Sequence, residues 1–144
     1  MKNTLIALCL FLVLLSCEKN EFIVADGSEF SFSTDSIIFD TVFSGIGSAT
    51  KHFKVYNKSS KDIVIPEIFL AKGNESKYRL NIDGNPYNTA NDVKLRKNDS
   101  LYIFVEVTIH TDQDALLELD SIVFRSYSGQ HDIKLLAWGQ DVHF

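Results

Sequence analysis

Cysteine is almost missing from this chain. Its 144 residues hold two, Cys9 and Cys17, both at the N-terminus. Beyond position 17 there is no disulfide to staple a fold and no thiol for catalysis or zinc binding. A domain of this kind must rest on its apolar core, and a hydrophobic content of 45% is enough to build one. Long apolar runs are missing too. The longest, residues 5–15, would span about 16 Å as a helix at ~1.5 Å per residue. A bilayer core needs about 20 apolar residues, so the run does not span a membrane. Positive charge is short: 14 Lys and Arg stand against 19 Asp and Glu. With no basic cluster, nucleic acid is excluded as a partner, and so is electrostatic adsorption to a membrane.

Catalytic and metal signatures are also lacking. The histidines, His52, His110, His131 and His143, are not spaced as a metal pair, so no metal or other cofactor is expected. There is no Gly-x-Ser-x-Gly elbow. Gly45-Ile46-Gly47 has no third glycine and no following helix, so it reads as a flexible loop and not a phosphate cradle. Asp112, Asp114, Glu118 and Asp120 read as a solvated acidic loop between strands, not as the six to eight oxygens of a calcium site. Nothing holds two carboxylates across a cleft as a glycosidase requires. The expectation is a protein that is not an enzyme.

What is present begins at the N-terminus. Lys2 precedes the apolar run, which closes on Leu14-Leu15-Ser16-Cys17 just before Glu18, Lys19 and Asn20. This order resembles a bacterial lipoprotein signal, although Leu15 is larger than usual two places before the cysteine. The resemblance implies that residues 1–16 are a cleaved signal helix and that Cys17 is lipidated. Such a cysteine carries a diacylglycerol thioether and often an amide-linked acyl chain. Each buried methylene contributes about 0.8 kcal/mol, so two or three chains hold a protein where one is marginal. The implied partner is a membrane, reached through covalent lipid, and the implied address is the bacterial envelope, on either face of the outer membrane. Removing Lys2 with the signal leaves 128 residues with thirteen bases and nineteen acids, a formal charge of −6. That length is one domain. Residues 17–30 read as a tether in which Phe22-Ile23-Val24 is able to dock on the domain, and residues 31–144 as the domain itself.

Strand signals dominate residues 31–144, with no amphipathic helix among them. Leu101, Ile103, Val105, Val107 and Ile109 alternate with Tyr102, Phe104, Glu106 and Thr108, a period of two and not 3.6. Phe53 and Val55 share a face of a strand over 52–57. Residues 122–124 and 133–138, joined through Tyr127-Ser128-Gly129, read as a hairpin with Ile133, Leu135 and Ala137 inward and Leu136 and Trp138 outward. Residues 36–42, 62–70, 77–82 and 92–95 complete the set. Pro66 cannot donate to a ladder, so 62–70 is expected to be an edge strand or two short strands that change sheet. The fold class expected is all-β, an immunoglobulin-like sandwich of seven or eight antiparallel strands.

Residues 36–83, 93–109, 120–126 and 131–141 carry, in order, a Phe-x-Val-x-Asn strand (Phe53, Val55, Asn57), a polar turn, a charged turn into the long alternating strand, and a last strand ending near Gly139. This order resembles the immunoglobulin-like modules of the Hydin-type and major-sperm-protein-like group. The whole chain is similar to surface lipoproteins of the Bacteroidota type, in which such a module often precedes a parallel β-helix. The resemblance implies a non-catalytic spacer, docking or adhesion module, either standing alone or as the N-terminal part of a longer protein. Its partners would be a C-terminal domain, another envelope protein or a glycan.

Two residue sets remain. Asp precedes Ser36, Thr41, Ser100 and Ser121, each followed by an aliphatic residue. The triplet resembles the O-glycan acceptor signal of Bacteroidota-type exported proteins, and it is also how a turn enters a strand. Tyr102, Phe104 and Trp138 fall on outward strand faces. Aromatics placed there stack on sugars or anchor a protein partner, which gives the alternative function of a carbohydrate-binding module, unless a tether or adjoining domain covers them.

Overall fold

The computed structural model describes residues 21–43, 46–48, 50–110 and 117–140. The chain folds as an all-β sandwich. Cys17 and the signal segment lie outside the described residues.

Eleven strands run in order β1 (Ile23–Val24), β2 (Phe30–Phe32), β3 (Ser36–Phe43), β4 (Lys51–Asn57), β5 (Ile63–Leu70), β6 (Tyr78–Ile82), β7 (Asn85–Pro86), β8 (Thr89–Leu95), β9 (Ser100–Val107), β10 (Leu117–Arg125) and β11 (Gln130–Gln140). The first sheet has the order β1-β5-β10-β11-β3, with β8 also paired to β5. The second has the order β2-β4-β9-β6-β7. The sequence led to seven or eight antiparallel strands. The added ones, β1, β2 and β7, are two or three residues long, too short to show a period. Two pairings are parallel, β1 with β5 and β11 with β3. Both join strands far apart in the chain, where no hairpin imposes direction.

Alternation places the core. On β9, Leu101, Ile103, Val105 and Val107 point inward and Tyr102, Phe104 and Glu106 outward, and Ile109 beyond the strand is buried as well. Phe53 and Val55 of β4 and Ile133, Leu135 and Ala137 of β11 meet them from both sheets. Phe30, Phe32, Phe53 and Phe124 form an aromatic cluster, with Phe32 and Phe124 ring centres 4.6 Å apart. Residues 22–30, within the segment read as a tether, are built onto the sandwich. Ile23 and Val24 pair with Ile63 and Val64, Ala25 is buried, and Phe30 opens β2 in the core.

Pro66 does not make β5 an edge or send it to the other sheet. The strand stays continuous, with β8 along one side and β1 then β10 along the other. Pro66 sits where a ladder bond is missing on both sides. β1 pairs with Ile63 and Val64, β10 ends with Arg125 opposite Glu67, and the β8 register skips from Ile65↔Val93 to Glu67↔Asn91. Its unpaired partner Asp92 is left-handed, with φ 52°. Both strands then change the parity that faces inward: Ile63 and Ile65 before the break, Ile68 and Leu70 after it. Opposite them, Ala90 precedes the break and Val93 and Leu95 follow it. A similar shift on β3, where Asp40 is the extra residue against Ala137 and Trp138, moves the inward set from Ile37 and Phe39 to Val42.

Asn57 explains the last position of the Phe-x-Val-x-Asn pattern. It is buried, and its Nδ2 donates to the carbonyls of Lys61, Leu95 and Arg96 at 2.8, 3.1 and 3.0 Å. Its Oδ1 accepts from Ser59 N and Oγ. One side chain therefore ties the end of β4 to the turn that follows it and to the β8–β9 turn.

Candidate functional surfaces

Two of the four acidic residues expected in a solvated loop, Glu118 and Asp120, are buried instead. Asp112 and Asp114 lie outside the described residues. Glu118 and Asp120 are on β10 and point inward, while Leu117 and Leu119 between them point out. The inversion is possible because polar partners converge from the β5–β6 connection. Lys72 forms an ion pair with Glu118. Asp120 accepts from Lys72 N at 3.1 Å, Ser121 N at 2.7 Å and Ser76 Oγ at 2.5 Å. Tyr78 donates its hydroxyl to the Glu118 carbonyl. Burial, then the nearby Glu118 and Asp120 carboxylates, push the Tyr78 hydroxyl well above the usual tyrosine range. With these bonds made, the cluster joins the two sheets and presents no open reactive group.

The outward aromatics separate into two places. Tyr102 and Phe104 lie side by side on the outer face of the second sheet, ring centres 6.0 Å apart and planes within 20°. The register brings Lys54 opposite Tyr102 and His52 opposite Phe104 from β4, and Asn81 opposite Phe104 and Arg79 opposite Glu106 from β6. His52 is 5.6 Å from both rings. Lys54 Nζ lies 4.6 Å from the Tyr102 ring centre, and hydrogen bonding to Tyr102 raises the lysine above its ordinary range. Thr50 Oγ1 donates to Glu106 at 2.6 Å. Asn81 Oδ1 is enclosed and has no donor among the described residues. Trp138 is elsewhere, on the outer face of the first sheet, beside Leu117 and near Leu119, Leu136 and Ile38. His52 and Lys54 were readable as outward, being the alternate positions to Phe53 and Val55. Their meeting with Tyr102, Phe104, Asn81 and Arg79 was not, since it depends on which strands pair.

The four Asp-preceded residues are dispersed. Ser36 opens β3 with its Oγ on Asp35, and Thr41 is exposed later on the same strand. Ser100 opens β9 with its N–H on Asp99, and Ser121 lies mid-strand in β10 with its N–H on Asp120. Three of the four aspartates thus bond the next residue directly, and two of these, Asp35 and Asp99, do so where a strand begins, as in a turn that enters a strand. Of the histidines, His131 packs against Phe30 and Phe32, and His143 lies outside the described residues. No group of metal-ligating side chains converges among the described residues. No described helix is long and apolar enough to cross a membrane.

No protein-family model matches the chain. No curated protein is significantly similar to it. Among solved structures, the fold is similar to part of a family 123 glycoside hydrolase from Clostridium perfringens, whose structure was analysed for glycolipid glycan hydrolysis. The match has a TM-score of 0.54 at 6% identity and covers 75% of this chain and 23% of that one. The chain therefore spans about a quarter of that neighbour's length, and the likeness is one of fold.

Proposed function

We propose that this protein is a non-catalytic module of the bacterial envelope, anchored by lipid on Cys17 and acting as a spacer that holds a docking or adhesion surface away from the membrane. The observation that carries this reading is the polarity of the chain. It enters beside the start of β5, where Ile23 pairs with Ile63. From that level β5 rises seven residues to Leu70, which lies opposite Ile122 and, through it, Ile133. β11 then rises seven more to Gln140. At about 3.3 Å per residue the two levels differ by up to roughly 45 Å along the strands. A sandwich entered at one pole and left at the other suits a stalk, whether it ends in its own surface or leads into a following β-helix domain.

The anchor is tested by intact-mass measurement of protein purified from the native membrane. The expected species begins at an acylated Cys17. Mature material beginning elsewhere removes the anchored-spacer reading. The same spectrum reports on Ser36, Thr41, Ser100 and Ser121: added hexose mass supports modification, and a bare lipid-plus-polypeptide mass excludes it. Protease shaving of intact cells separates the surface from the periplasmic face.

A further inference from the structure

The two outer faces of the sandwich differ in chemistry. The first sheet shows aliphatic side chains around Trp138, with Ile38, Leu119 and Leu117 all more than two-fifths exposed. The second shows two aromatic rings within a frame of hydrogen-bonding groups: Lys54 and His52 on one side, Asn81 and Arg79 on the other, and Glu106 with Thr50 below. A dry protein contact favours the former. The latter joins apolar ring faces, on which sugar C–H groups pack, with polar groups at their rims that meet hydroxyls. Asn81 Oδ1, enclosed next to Phe104 without a donor, is an acceptor that an incoming hydroxyl would satisfy after a small side-chain shift.

Charge narrows the ligand further. The chain carries −5 overall, yet the residues that the register sets beside the two rings include Lys54 and Arg79 against Glu106, with Asp83 at the rim, its N–H on the Tyr102 carbonyl. Thr50 already occupies one oxygen of the Glu106 carboxylate. Two cations flanking the rings, on a protein that is acidic overall, favour an anionic ligand. From these placements we infer that the outer face of β4, β9 and β6 binds an anionic polysaccharide. Sugar rings stack on Tyr102 and Phe104, and a carboxylate or sulfate of the glycan meets Lys54 and Arg79. This goes beyond the anchored-spacer reading and does not depend on the lipid.

The test is a titration of the full chain in detergent, followed by amide chemical shifts, with oligogalacturonate, hyaluronate and chondroitin sulfate fragments. A neutral cello-oligosaccharide and inorganic sulfate serve as controls. Trp138 fluorescence would be blind here, because the tryptophan lies on the other sheet. At least one anionic oligosaccharide is expected to shift residues of β4, β6 and β9. Y102A and F104A should each weaken it about tenfold, the effect of one lost stacking contact. K54Q should erase the preference over the neutral sugar, and W138A should change nothing. Lack of binding by all three anionic glycans at millimolar concentration overturns the inference. So does binding that survives Y102A and F104A in variants with native-like spectra, or equal binding of sulfate alone. Equal binding of the neutral sugar by the wild type overturns the anionic preference.

Discussion

Tyr78 of β6 donates its hydroxyl to the backbone carbonyl of Glu118 on β10, at 2.9 Å, and so bridges the two sheets through the core. The ring is wholly buried, 6.0 Å from Phe39. Removing the hydroxyl leaves that carbonyl without this donor, so Tyr78→Phe is expected to cost about 1–3 kcal/mol at pH 7. A pH signature separates this bond from general packing. Tyr78 is neutral when protonated, and folding raises its pKa. Its contribution is therefore complete below the unfolded value of about 10 and is lost as pH rises above that, at up to ~1.4 kcal/mol per pH unit. Urea unfolding at pH 7, 9 and 11 should show a steeper alkaline decline in wild type than in Tyr78→Phe. Parallel declines would mean that the buried hydroxyl is not the source.

Asn57 gives a second test, because its donors matter more than its size. Asn57→Ala removes bonds to three carbonyls around the β8–β9 turn and the turn after β4. A loss of at least about 2 kcal/mol is expected by denaturant titration. Asn57→Asp is expected to be no milder, since it keeps the shape but faces those carbonyls with an oxygen. An aspartate variant close to wild type in stability would show that the Nδ2 bonds contribute little.

At Asp92 the backbone rather than the side chain decides. With φ at 52°, the residue occupies a region where glycine is at ease and a β-branched side chain is not. Asp92→Gly should stay within about 0.5 kcal/mol of wild type, whereas Asp92→Val should lose about 1–2 kcal/mol. Thermal melts of the pair suffice, and equal melting temperatures would remove the backbone argument.

Gly139 is a packing constraint. A Cβ there would stand 2.9 Å from Ile109 Cγ2, closer than carbon atoms approach. Gly139→Ala is expected to destabilise by about 1–3 kcal/mol through overpacking. In an Ile109→Ala background, already weakened by about 2–5 kcal/mol, the same change should cost little, because the opposing methyl is gone. A double-mutant cycle measures this coupling, and simple additivity would show that the two residues do not compete for the same space.

Much of the sandwich follows from local order along the chain. Leu101 to Ile109 alternate without a break, so the strand, its inward face and the outward Tyr102 and Phe104 were readable from nine consecutive residues. The hairpin ending in Ile133, Leu135 and Ala137 followed for the same reason. Where the period slips, the sequence misled. At Pro66 and Asp92 both strands change phase together, so the run resembled an interrupted or edge strand, although it has neighbours on both sides. At Glu118 and Asp120 the polar residues face in and the leucines out, an order that makes sense only once Lys72, Ser76 and Tyr78 arrive from elsewhere.

The sequence by itself determined the period-two pattern, the lack of a cysteine after position 17 and the acidic balance, because each is written in neighbouring residues or in a sum over them. Only the tertiary structure decided that β11 lies parallel to β3, that entry and Gln140 sit at opposite poles, and that Tyr102 and Phe104 share a face with His52, Lys54, Asn81 and Arg79 while Trp138 does not. Strand pairing is fixed by hydrogen bonds and packing between segments tens of residues apart, and no local period encodes which segments those will be.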